Sequence, residues 1–121
     1  MTDLFAPPGG WCVRIRDLSA ASEDNVVEQI AGFATLMQAN AFARRYVRDS
    51  IERCRAAAGG SARAVLEAWF AWGEDAEVVD AGTQGWRSST ELNDFAARPA
   101  AIEERDWRAL DPRRHDEPDF Q

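Results

Sequence analysis

Four carboxylates crowd into seven residues, Glu74, Asp75, Glu77 and Asp80, with Trp72 just before them and Gly82, Gly85 and Trp86 just after. Acids at that density could hold a hard divalent cation, or one of a pair with a raised pKa could act as a general acid. The spacing fits no EF-hand loop, which needs a glycine at its sixth position and a closing glutamate at its twelfth. Strand alternation would put Asp75 and Glu77 on one face and Glu74 with Asp80 on the other. An edge strand defended by negative charge explains the same pattern, and that is the preferred reading.

Other reactive groups are scarce. All 14 basic residues are arginine, so Schiff-base chemistry, a P-loop lysine and a lysine general base are excluded. The one histidine, His115, sits in Asp111-Pro-Arg-Arg-His-Asp-Glu-Pro, too polar and proline-broken to position an imidazole for a triad or a zinc site. Cys12 could be activated by Arg14 and Arg16 along its strand face, yet no histidine is at hand as its base. It and Cys54 lie on different predicted elements of a chain without a secretory leader, so two reduced thiols are expected. No cofactor or metal is assigned.

Two constellations point to binding. Arginines 44, 45 and 48, on a predicted helix near Arg14, Arg16 and Trp11, could meet phosphates. Residues 35–63 carry six Arg against Asp49 and Glu52, a balance of +4, whereas residues 64–121 carry 14 acids against six Arg, a balance of −8. The acidic C-terminal part could therefore fold back on that helix, and a net charge of −7 opposes attraction to nucleic acid. The second constellation is aromatic. Trp69 and Phe70 read as core, while Trp72, Trp86 with Arg87, and Trp107 with Arg105 and Arg108 combine the residue types that dominate interface hot spots. Five Trp exceed what one core layer of so small a domain readily encloses.

The elements that must position these residues follow from periodicity. With 121 residues and 45% apolar content the chain suits one domain with a real core. Residues 1–10, containing Pro7-Pro8-Gly9-Gly10, form a flexible lead-in. Trp11, Val13 and Ile15 alternate with Cys12, Arg14 and Arg16 as a half-buried strand. A loop over 17–24 leads to a second strand over 25–33, with a bulge near Gly32 and an antiparallel hairpin pairing. Thr35 and Gln38 have the form of a capping box opening a helix to about Ala57, ended by Gly59-Gly60. Ser61 caps a second helix to about Trp72, with Val65, Leu66, Trp69 and Phe70 buried, and Gly73 stops it. A third strand spans 75–80. Ser88 and Glu91 form another capping box before a short helix holding Leu92 and Phe95, and Pro99 starts a last helix carrying Ile102, Trp107 and Leu110.

The expected fold is α+β: a small three-stranded antiparallel sheet, β-β-α-α-β, packed on one face by helices. Residues 11–86 make the core domain, 87–110 a helical C-terminal arm and 111–121 a disordered acidic tail. Without an apolar run of membrane-spanning length or a signal sequence, the chain reads as cytoplasmic, with no membrane partner. The leading expectation is a noncatalytic protein-interaction module, an accessory subunit, adaptor or regulator. It would bind a protein partner or its own copy through Trp72, Trp86, Arg87, Arg44, Arg45, Arg48 and Trp107. A metal-dependent or small-molecule enzyme using the Glu74–Asp80 carboxylates comes second, and nucleic-acid binding through the arginine helix third.

Overall fold

A computed structural model describes residues 6–20 and 25–116. Its elements are β1 (Trp11–Asp17), β2 (Val26–Phe33), α1 (Leu36–Ala58), α2 (Ala62–Trp72), β3 (Glu74–Val78) and α3 (Leu92–Ala97), followed by short 3-10 turns to residue 116. The sheet is antiparallel with order β2-β1-β3, so the strand with the strictest alternation is the central one. Trp11, Val13 and Ile15 point from it into the core, with Ile30, Phe33 and Ala76 beside them and Phe42, Val47 and Ile51 of α1 opposite. This is the expected α+β architecture, helices on one face and a charged edge strand at β3.

The bulge lies where β2 needs it. Trp11 pairs with Phe33 but Val13 pairs with Ile30, so one extra residue is accommodated around Gly32, whose φ of +96° an L side chain rarely adopts. The shift puts Ile30 and Phe33 on the same inner face, although simple alternation would separate them. Val27 is left 56% exposed.

Both long helices start on the expected hydroxyls. Thr35 Oγ1 accepts from the Gln38 amide at 3.0 Å, and Ser61 Oγ from the Ala64 amide at 3.1 Å. Only half of the first capping box forms, because the Gln38 side chain donates to the Leu110 carbonyl instead. Phe70, expected in the core, is 57% exposed: α3 packs against α2, and Val65 and Trp69 alone fill the buried stripe.

The C-terminal arm departs most from expectation. The Ser88–Glu91 capping box is absent because the Glu91 carboxylate is held by Arg44 and Trp86, and Ser88–Thr90 is itself a 3-10 turn. Among the described residues no α-helix follows Pro99. Two 3-10 turns, Ile102–Arg105 and Arg108–Leu110, replace it, with Ile102 81% exposed. Contacts also continue past residue 110: Asp111 is buried, Arg113 bonds to it and to Glu28, and residues 112–116 form a turn against β2. The lead-in residues 1–5, loop residues 21–24, the tail at 117–121 and the His115 side chain lie outside the described residues.

Candidate functional site

The acidic arm folds back on the arginine face of α1 and uses most of the residues that looked available for a partner. Arg44 holds Glu91 through two bonds, Nε to Oε2 at 2.7 Å and Nη2 to Oε1 at 2.8 Å. The Trp86 indole donates to that same Oε2 at 2.7 Å, and its ring stacks on Phe95. These hydrogen bonds, Arg44 foremost, hold the Glu91 carboxyl below the usual range. Arg45 donates to the Asp106 carbonyl at 3.1 Å. The Trp107 ring packs on Phe42 and Tyr46 and its indole reaches Asp49 at 3.2 Å, beside Arg105 at 2.7 Å.

Arg48 is the anomaly on this face. Its side chain is 1% exposed, the guanidinium lies 4.5 Å from the centre of the Phe95 ring, and Glu104 approaches only to 3.9 Å. None of its three nitrogens finds a hydrogen-bond acceptor among the described residues. Two turns further along, Arg55 pairs with both oxygens of Glu52 on its own helix and binds the same arm through the carbonyls of Phe95 and Ala96. Those carbonyls belong to the last turn of α3, where a cation satisfies acceptors the helix leaves unpaired.

The carboxylates of β3 do not converge. Glu77 faces Arg16 at 2.7 Å and Arg14 at 3.6 Å on the open face of the sheet. Glu74, on the inner side, accepts from the Tyr46 hydroxyl at 2.7 Å. Burial, with that bond to Glu74, raises the Tyr46 pKa well above the usual phenol value. Asp75 is raised mainly by burial and accepts its neighbour's amide, while Asp80 sits beyond the strand at a φ of 60°. Among the described residues no group of three or more His, Cys, Asp and Glu is placed to hold a metal ion. Cys12 and Cys54 are both free thiols. Cys12 is not activated as its arginine neighbours suggested: burial raises its pKa, outweighing Arg14, and burial raises Cys54 as well.

Of the seven residues expected to bind a partner, Trp72 and Arg87 remain exposed, Trp72 at 76%. Trp72 stands at the rim of a cavity of about 450 Å³ between the second half of α1, the end of α2 and the start of β3. Ala57 and Ala68 are too small to fill the space between the helices, and Cys54 and Arg53 line the α1 side. Gly73 makes the corner possible. A Cβ there would lie 2.2 Å from Cδ1 of Trp69, whose indole donates to the Glu74 carbonyl at 3.2 Å. The Glu74 amide donates to Ser50 Oγ at 2.9 Å, and the Leu18 amide to the Gly73 carbonyl at 2.9 Å. These bonds set Asp17 and Ser19 on the cavity's third side.

Sequence reasoning missed this groove because it depends on Asp17, Arg53 and Trp72, distant in the chain. The local signal available was the small side chains of Ala57 and Ala68 on either side of the Gly59-Gly60 turn, which leave room between the two helices. Among the described residues, no helix is long and apolar enough to cross a membrane.

No family model, curated protein or solved structure matches this chain.

Proposed function

We propose that this chain is a noncatalytic protein-binding module whose contact surface centres on Trp72. The observation that carries the reading is the contrast among the five tryptophans. Trp11 and Trp69 are buried at 6% and 1%, and Trp86 and Trp107 donate to internal carboxylates, whereas Trp72 lies 76% exposed. Tryptophan is the residue most enriched at interface hot spots, and hot spots pair with pockets. Complete burial of a Trp removes about 150–250 Å² from water. Covering Trp72 would therefore contribute roughly 3–5 kcal/mol before the costs of association. Arg53, which lines the same groove, extends the surface.

The other expectations gain less support. Arg44, Arg45, Trp86 and Trp107 bond to the arm or within it, which favours their role as internal fasteners, and Arg48 is buried beneath it. Glu74 and Glu77 already have partners on opposite faces of β3.

Affinity capture of the tagged chain and of Trp72→Ala from the native host, with mass spectrometry and a size measurement of the eluate, tests the proposal. A stoichiometric protein retained by the wild type and lost from the variant is expected. Identical captures by both, or a lone monomer from both, overturn it.

A further inference from the structure

The groove beside Trp72 carries information about the chemistry of its occupant. Of its charged lining groups, Arg53 is already met by carboxylates on both sides, Asp49 and Glu74, each at 3.6 Å. Asp17 is different. Among the described residues, both bonds that its carboxylate accepts, from the Ser19 amide at 2.9 Å and the Ser19 hydroxyl at 2.6 Å, end on Oδ1. Among the described residues no arginine comes within ion-pair distance of it. An ionised, uncompensated carboxylate thus shares a cavity with the most exposed indole of the molecule, above a floor of Ala57, Ala68 and Cys54.

We infer that the groove receives a basic side chain, arginine or lysine, from an extended segment of a protein partner. Building on the docking role proposed for Trp72, this inference specifies what docks there. An aliphatic stem suits the alanine floor, and a guanidinium or ammonium group over an indole face is the strongest of the cation–π pairings with side-chain rings. Its charge then meets Asp17. A volume of about 450 Å³ admits one or two side chains and no secondary-structure element. The net charge of −7 draws such a segment in from solution. An acidic ligand would have to displace Asp49 or Glu74 from Arg53 and lie against Asp17.

The test uses the full chain and a hexa-arginine peptide, with hexa-glutamate and a Gly-Ser hexamer as comparison probes, read by the indole ¹⁵N–¹H resonance of Trp72. Because polycations bind acidic proteins indiscriminately, two single-charge variants separate the site from the net charge. Asp17→Asn keeps the Oδ1 acceptor for Ser19, and Glu103→Gln removes an exposed acid of the arm. Hexa-arginine is expected to move the Trp72 resonance and saturate. Asp17→Asn should weaken it about 3-fold or more, on the order of an exposed charge pair, and Trp72→Ala, which lacks the reporting indole and is followed by calorimetry beside the wild type, about 5-fold. Glu103→Gln should leave it within about 1.5-fold, since Glu103 does not line the groove and an exposed charge outside it is screened by salt.

Equal weakening by Asp17→Asn and Glu103→Gln overturns the inference, as does tighter binding of hexa-glutamate or of the neutral hexamer. A Trp72 resonance unmoved by hexa-arginine overturns it too. In that case the docking role still stands if Trp72→Ala loses a captured partner, and falls with the inference if it does not.

Discussion

Replacing Arg48 by methionine should stabilise the protein, and replacing Arg55 by methionine should destabilise it, although both arginines lie on the same α1 face beneath the same arm. An unpaired buried polar group costs about 1–3 kcal/mol, and Arg48 holds three such nitrogens at 1% exposure. Against that cost stand the Phe95 ring, worth up to about 2 kcal/mol to a desolvated cation, and Glu104, which at 3.9 Å and 40% exposure adds about 1 kcal/mol or less. Methionine retains most of the apolar stem and removes the charge, so Arg48→Met should gain about 1–2 kcal/mol. Glu104 is left in contact with water and keeps its bond from the Ala101 amide.

At Arg55 the sign reverses. Its removal strands the Glu52 carboxylate, 7% exposed, and leaves the carbonyls of Phe95 and Ala96 without their donor. Breaking a buried pair in that way costs about 3–5 kcal/mol. Urea unfolding of both variants, followed by far-ultraviolet circular dichroism, measures the difference. For a domain of this length each kcal/mol corresponds to a Tm change of about 3–5 °C. A loss of more than about 1 kcal/mol in Arg48→Met would refute the reasoning, because it would mean that the Phe95 and Glu104 contacts outweigh the stranded donors.

Two further perturbations probe the corner and the arm. Gly73→Ala should cost about 3 kcal/mol in urea unfolding, since its Cβ would meet the buried Trp69 ring at 2.2 Å; a loss under about 1 kcal/mol would show that the ring can retreat. Acid should loosen the arm. The folded pKa of Glu91 is lowered, chiefly by Arg44, and that of Asp111 is lowered because bonds from Arg113 outweigh its burial. Their stabilisation is full above the unfolded values near about 4 and is lost as pH falls through the lower folded values. Glu91→Gln should cost about 1–2 kcal/mol at pH 7 and flatten the decline in stability below about pH 4. An unchanged slope would remove Glu91 from the account.

Local rules made much of the fold legible. The alternation from Trp11 to Ile15, the hydroxyl caps at Thr35 and Ser61 and the stops at Gly59 and Gly73 all depend on residues a few positions apart. The same rules failed where a distant partner outbid a near one. Glu91 had a capping amide three residues away, yet a bidentate guanidinium and an indole 47 and 5 residues distant hold it. Gln38 leaves its own helix start for Leu110. After Pro99, Trp107 and Leu110 are secured by α1 through contacts that the local pattern does not show. The charge imbalance between the two halves of the chain foretold the fold-back, but not which arginines it would use. For the site, the exposure of Trp72 was legible from its place before a helix-ending glycine; its meeting with Asp17 required the corner at Gly73.

The docking of the arm on α1 also sets a timetable. Asp49 must wait for Arg105, made 56 residues later, which at a synthesis rate of about 5–20 residues per second is roughly 3–11 s. Once this segment has left the ribosome and before the arm is made, the nascent chain displays Tyr46 and Arg48, which the finished protein buries. A chaperone or a neighbouring polypeptide can meet that face on the ribosome, whereas the mature molecule offers it to neither.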